Sequence, residues 1–119
     1  FNRHQTIPHM PIMLAISGSD SGGGAGQQAD IKTASALGVY ACSCISAVTV
    51  QNTQGVKSVV LMDEDTVRGQ MEAVCEDMHV DAVKIGMTGR RVIIKTIAEM
   101  ILRYKLRNVV LDPVMASSR

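Results

Sequence analysis

The chain has 119 residues, an apolar fraction of 46% and a formal net charge of +1. That is the balance of a single soluble globular domain, too apolar for a disordered segment and without the basic excess that nucleic acid demands. The three aromatic residues, Phe1, Tyr40 and Tyr104, are too few for a base-stacking platform, and no stretch approaches the roughly 18 consecutive apolar residues of a membrane-spanning helix.

Residues 1–11 read as a disordered leader or upstream extension. The opening "FNRHQTIPH" has neither the apolar core nor the cleavage pattern of a secretory signal, and His4 and His9 are expected to be solvent-exposed bystanders. The folded part is then residues 12–119. "IMLAIS", residues 12–17, is a short apolar run ending at a glycine and reads as a buried strand. A glycine-rich bend follows. A helix is expected over 25–37, with the small residues Ala29, Thr33 and Ala36 facing inward and Gly38 closing it in the left-handed conformation. "YACSCISAVTV", residues 40–50, reads as a second buried strand, and "VKSVVLM", residues 56–62, as a weaker third.

Asp63 to Asp65 supply acid at a helix start. Val67, Met71, Val74, Cys75 and Met78 then share one helical face, and His79 is expected to partner the dipole at its end. Residues 82–87 form another strand, in which Lys84 is given a structural role with its stem buried and its amine at an edge. Ile94, Ile97, Ala98, Ile101 and Leu102 mark a helix over 91–104, and residues 108–114 a last strand stopped by Pro113. Eight methionines suit an adaptable interior or pocket lining. Three cysteines, an odd count, point to a reducing compartment. Cys42 and Cys44 should face the same way as small buried residues, since the zinc spacings are absent.

Alternating strands and helices, with strands apolar on both faces, imply a mostly parallel sheet covered on two sides. Ligands of such sheets sit beyond the C-terminal strand ends. Gly18 to Gly26, Gln51 to Thr53, Gly86 to Thr88 and Asp112 to Met115 all fall there.

Glycine in place of alanine costs about 0.4–1 kcal/mol where alanine would fit, so Gly22, Gly23, Gly24 and Gly26 together cost roughly 2–4 kcal/mol. Such a bend implies that Cβ atoms are forbidden, by positive φ or by something against the backbone. It also opens a helix, whose first N–H groups favour an anion or a strong acceptor. A P-loop is rejected because no lysine occurs before Lys32. Gly24, Gly26 and Ala29 satisfy a dinucleotide-type G-x-G-x-x-A. The next strand, however, ends Val50-Gln51-Asn52-Thr53, without the acid that grips a ribose, which disfavours an oxidoreductase.

A third reading, a small-molecule substrate loop, comes with a resemblance. "AISGSDSGGGAG", "QADIKTASALGVYACS", "QNTQGV", "VDAVKIGM" and "NVVLDPVM" occur in order between Ile12 and Met115. They resemble the N-terminal half of the hydroxymethylpyrimidine/phosphomethylpyrimidine kinases of thiamine biosynthesis, in the ribokinase-like superfamily. The resemblance implies an α/β protein with the three-layer α/β/α ribokinase-like fold and a mostly parallel sheet, truncated after about half of the family domain. It implies ATP-dependent phosphorylation of 4-amino-5-hydroxymethyl-2-methylpyrimidine and then of its monophosphate, with ATP and Mg2+ as cofactors, in a cytoplasmic homodimer. Carried over residue by residue, Gly18 would approach the pyrimidine substrate through its backbone and Asp30 would hold it. Gln51 would read the ring edge through its amide, Met87 would pack on the ring, and Asp112 would lie toward metal and phosphate, through water.

The side-chain chemistry agrees in part. An amide matches the acceptor–donor edge of an aminopyrimidine, a thioether gives a polarizable apolar surface, and Mg2+ keeps several waters. Plainer roles stay open. Asp30 would favour the helix dipole, Gln51 would satisfy loop backbone, Met87 would be core, and Asp112 would cap the turn before Pro113. The family's anion hole, its hydroxyl-activating residue and most of its ATP site lie in the second half. No catalytic residue is therefore expected within this chain, which is expected to be inactive alone. The alternative is a non-catalytic pyrimidine-binding or assembly fragment. Stopping partway through the sheet would expose an apolar edge that invites association. Two departures stand out: Gln27 sits where an apolar residue is usual, and Arg90-Arg91 oppose the dipole at a helix start.

Overall fold

The computed structural model describes residues 10–112. The elements run β1 (Ile12–Asp20), α1 (Gly26–Ala36), β2 (Tyr40–Asn52), β3 (Gly55–Leu61), α2 (Glu64–Asp77), β4 (Ala82–Ile85), α3 (Arg91–Tyr104) and β5 (Val109–Leu111). They form one five-stranded sheet in the order β3-β2-β1-β4-β5. β1 pairs in parallel with β2 and β4, and β4 with β5, while β3 returns antiparallel on β2. The expected α/β architecture with a mostly parallel sheet is what is found. Leaving β1, the crossover through α1 runs one way along the sheet. The later crossover through α2 runs back past β1 to β4. Right-handed crossovers in opposite directions put their helices on opposite faces.

The core lies on the face of α2 and α3. Leu14, Ile16, Cys44, Val83 and Ile85 from the strands meet Val67, Met71, Ile93, Ile97 and Met100 from the helices. α2 is as its periodicity predicts, down to its cap: the Asp63 carboxylate accepts the Thr66 N–H at 2.8 Å. α1 closes as expected, with Gly38 at φ +76° and the Val39 N–H donating to the Ala34 carbonyl at 2.8 Å. Cys42 and Cys44 do share a face. The Cys42 Sγ meets Met78 Sδ at 3.4 Å, and the Cys44 Sγ lies 3.6 Å from the Val67 carbonyl. Burial pushes the Cys44 thiol up to about 12, and all three cysteines are free.

Several expectations are corrected. β1 does not stop at Ser17. It continues to Asp20 after a register shift between Ser17 and Gly18, pairing Gly18 to Asp20 with Ala47 to Thr49. α1 docks through Gln27 and Ala34, while Thr33 and Ala36 are exposed and Ala29 is half-buried. This helix has no apolar stripe to dock with. The Gln27 amide instead donates to the carbonyls of Ala15 at 2.6 Å and Cys44 at 3.1 Å, across two strands.

α3 buries Ile93, Thr96, Ile97 and Met100, leaving Ile94 54% and Leu102 78% exposed. The helix spans the residues expected of it, and its apolar residues run most of the way round. His79 lies beyond the end of α2 and stands 3.5 Å from the Asp81 carboxylate instead of against the helix end. Covering on both faces also fails at the sheet margins, where every residue of β3 and β5 is exposed. His4, His9, Pro113 and Met115 lie outside the described residues.

Candidate functional site

The glycine-rich bend holds an anion supplied by the chain itself. Asp20 ends β1, and its Oδ1 accepts the Gly22 N–H at 2.7 Å. Its Oδ2 accepts the N–H groups of Gly24 at 3.0 Å and Ala25 at 2.9 Å. Burial works to raise the Asp20 pKa, but donation from Gly22, the Gln51 side chain, Gly24 and Ala25 outweighs it and holds the carboxyl below the ordinary carboxylate range. The N–H groups that a dinucleotide pyrophosphate would use are thus already engaged.

The glycines differ in what they require. A Cβ on Gly26 would lie 2.1 Å from the Gly18 carbonyl oxygen, at φ +56°, and Gly23 has φ +82°. At Gly24 a Cβ would meet nothing nearer than the Asp20 carboxylate at 4.0 Å, so that position does not demand glycine.

Two further links fix the bend against β2. The Ser21 hydroxyl donates to the Gln51 carbonyl and accepts the Gln51 N–H at 2.8 Å. The Thr49 hydroxyl donates to the Ser19 carbonyl at 2.8 Å. From the helix side, Gln28 accepts the Asp20 N–H at 2.7 Å and donates to the Ser19 hydroxyl at 2.9 Å.

A cavity of about 500 Å³ opens beside this bend, at the C-terminal rim of the sheet. Gly18, Asp20 and Gln51 line it from β1 and β2, Val56 and Val59 from β3. Lys84 lines it from β4, with Met87 and Asp112 just past β4 and β5. Such a pocket, chiefly apolar with a few convergent polar groups, suits a small organic ligand.

Four of the five residues that the resemblance singled out meet here: Gly18, Gln51, Met87 and Asp112. Gly18 is closely packed on its open side: a Cβ there would lie 3.1 Å from Met87 Sδ, so the bare backbone is what lets the Met87 thioether seat against it. The Met87 carbonyl is held by the Ser46 hydroxyl. The Asp112 backbone N–H donates to the Ile85 carbonyl at 2.9 Å, and its side chain is 60% exposed. Asp30 is not among the lining residues. Its Oδ1 lies 2.6 Å from Lys84 Nζ and its Oδ2 accepts the Ser17 hydroxyl at 3.2 Å, so it reaches the cavity through Lys84.

Lys84 also approaches Asp112, at 3.5 Å. Burial works to lower its pKa, but the two carboxylates outweigh that and raise it, keeping the ammonium charged. Sequence reasoning gave no site role to Asp20, Ser21 or Lys84. An aspartate followed by glycines two and four residues on is a signal for a carboxylate folding back on its own loop. The other two act through contacts 30 and 54 residues away in sequence, which no local pattern shows.

Among the described residues there is no cluster of three or more His, Cys, Asp or Glu able to hold a metal, and no helix long and apolar enough to cross a membrane. One open carboxylate, Asp112, fits the way Mg2+ is commonly held, by one or two carboxylates with retained waters and substrate phosphates.

Comparison with known proteins decides the family. Residues 20–119 match the family described as phosphomethylpyrimidine kinase. The chain belongs to that family. Among relatives of the phosphomethylpyrimidine kinase type, the hydroxymethylpyrimidine/phosphomethylpyrimidine kinase of Rhizobium meliloti is 55% identical over 107 residues, covering 90% of this chain and 40% of the relative. That of Escherichia coli K12 is 50% identical over 102 residues, covering 86% and 38%.

The fold agrees as well. The crystal structure of phosphomethylpyrimidine kinase from Clostridium difficile 630 superposes with a TM-score of 0.86 at 48% identity, covering 91% of this chain and 47% of that one. Bacillus subtilis pyridoxal kinase, solved as an ADP complex, gives a TM-score of 0.84 at 37% identity, covering 93% and 42%. Staphylococcus aureus pyridoxal kinase, solved with AMP-PCP and pyridoxal, gives 0.81 at 32%, covering 90% and 40%. The chain spans about 40% of the length of the curated relatives it matches.

Proposed function

We propose that this segment is the pyrimidine-binding part of a kinase that phosphorylates 4-amino-5-hydroxymethyl-2-methylpyrimidine and then its monophosphate in thiamine diphosphate synthesis. One observation carries the reading: in a phosphomethylpyrimidine kinase family member, Gly18, Gln51 and Met87 line one cavity beside a bend locked by Asp20. Gln51 reads the aminopyrimidine edge with its amide, whose orientation is set by Ser21 on its backbone and Asp20 on its side chain. Met87 covers the ring face, seated against Gly18. Val56 and Val59 exclude water from the ring.

ATP is the phosphoryl donor in this reading, supported by the ADP and AMP-PCP complexes of the related pyridoxal kinases. Asp112 would hold Mg2+ through water, and the ion would neutralise phosphate charge there. Phosphoryl transfer also needs an oriented nucleophile and donors aimed at the transferring group. The described residues offer Lys84 and Asp112 toward that end and no second glycine-rich helix start. The 119-residue polypeptide accordingly binds pyrimidine with negligible turnover of its own. The working kinase is a cytoplasmic homodimer.

Calorimetric titration of the chain with the hydroxymethylpyrimidine and, separately, with NAD tests the reading. Saturable heat from the pyrimidine and none from NAD is expected. Tight NAD binding without a pyrimidine signal would overturn it in favour of a dinucleotide site.

A further inference from the structure

Lys84 stands at the cavity on an otherwise apolar strand, with Val83 and Ile85 on either side buried in the core. Its ammonium has three N–H donors. Asp30 takes one at 2.6 Å, from a carboxylate only 10% exposed and further held by the Ser17 hydroxyl. Asp112 approaches at 3.5 Å from a side chain that is 60% exposed. The two partners therefore differ in kind. Asp30 is a fixed anchor that keeps the amine charged and aimed. Asp112 is a loose contact at the open end, which another anion can displace without burying an unpaired charge. A half-buried charge that lines a cavity and has one replaceable partner is suited to read an anion there.

We propose that Lys84 is a specificity-determining residue: it recognises the phosphate monoester of the phosphorylated pyrimidine by exchanging Asp112 for a phosphate oxygen. The proposal rests on the pyrimidine reading above and adds the way this one cavity accepts both the alcohol and its monophosphate. Across the sheet the lining passes from Gln51, Val56 and Val59 on β2 and β3 to Lys84, Met87 and Asp112 at β4 and β5. A ring bound at the Gln51 end directs its single carbon arm toward Lys84. The uncharged alcohol leaves the Lys84–Asp112 contact intact. The monophosphate brings the charge that replaces Asp112 and frees that carboxylate to turn outward.

The test is calorimetric titration of the 119-residue chain, in EDTA, with the free pyrimidine alcohol, its monophosphate and AMP-PCP. Lys84→Met should weaken monophosphate binding roughly 10- to 100-fold, the worth of one charge-assisted hydrogen bond, and alter alcohol binding less than about threefold. Lys84→Arg should recover most of the loss. Asp112→Asn, which removes the competing carboxylate, should raise the monophosphate-to-alcohol affinity ratio several-fold. It also decides the matter if Lys84→Met fails to fold, because an unchanged ratio overturns the proposal. Equal weakening of alcohol and monophosphate by Lys84→Met overturns it and leaves the pyrimidine reading standing. A loss confined to AMP-PCP overturns it by assigning Lys84 to the nucleotide. Failure of the wild-type chain to bind either pyrimidine overturns the underlying reading instead.

Discussion

Asp20 accounts for most of the peculiarity of the bend. Its two carboxylate oxygens collect three backbone N–H groups, and the chain must fold tightly around them. Glycine is demanded where this brings backbone onto backbone, as at Gly26. Gly26→Ala is expected to destabilise the fold by at least about 1–3 kcal/mol, the cost of strained φ alone, with the clash against Gly18 adding to it. Gly24→Ala should be neutral or stabilise by up to about 1 kcal/mol. Urea unfolding of the two variants measures both. The Asp20 carboxyl is held low by its donors, and Asp63 likewise by Thr66. The native state therefore binds fewer protons than the unfolded chain as pH falls through this region. The stabilisation is complete above the ordinary aspartate value near ~3.9 and is lost as pH falls through the lower folded values. Thermal midpoints should drop below about pH 4, and Asp20→Asn should be less stable at neutral pH and flatter in acid.

At the level of elements, legibility followed the source of each element's stability. α2 was readable because it docks by an apolar stripe, Val67 and Met71 foremost, and starts on an aspartate cap. α1 was readable as a helix but not as to its face, because it docks by hydrogen bonds from Gln27, which lies outside the small-residue face of Ala29, Thr33 and Ala36 read as inward. α3 was readable in its extent, but it carries apolar residues on its outer side too, so the pattern alone does not single out its buried face. Gln27→Ala removes both donations from a buried site and should cost about 1–3 kcal/mol in chemical denaturation; an effect under ~0.5 kcal/mol would show that α1 docks by other means. The Cys44 thiol, pushed up to about 12 by burial, should resist a thiol reagent at pH 8 until the chain is unfolded. Within the site, Gly18, Gln51, Met87 and Asp112 came from a resemblance, and their convergence reflects one rule of parallel sheets, that strand ends on one rim meet. Ser21 and Lys84 escaped because their partners are distant in sequence.

For the whole molecule, the sheet is well covered at its centre and bare at its margins. Val56, Val59, Val60 and Leu61 on β3 are exposed, as are Val109, Val110 and Leu111 on β5. Unpaired apolar edges of this kind associate. Sedimentation velocity should show concentration-dependent association of the 119-residue chain, reduced by Val110→Lys; a monomer at all concentrations would contradict this. The central claim is that the rim cavity between β3 and β5 is a pyrimidine site, and its most direct test is NMR of the labelled chain titrated with the hydroxymethylpyrimidine. The Gln51 side-chain amide, the Gly18 N–H and the Met87 methyl should shift together and saturably, while Ile97 and Met100 on the opposite face stay still. Shifts confined to the α2–α3 face, or none at Gln51 and Met87 at saturating pyrimidine, would contradict it.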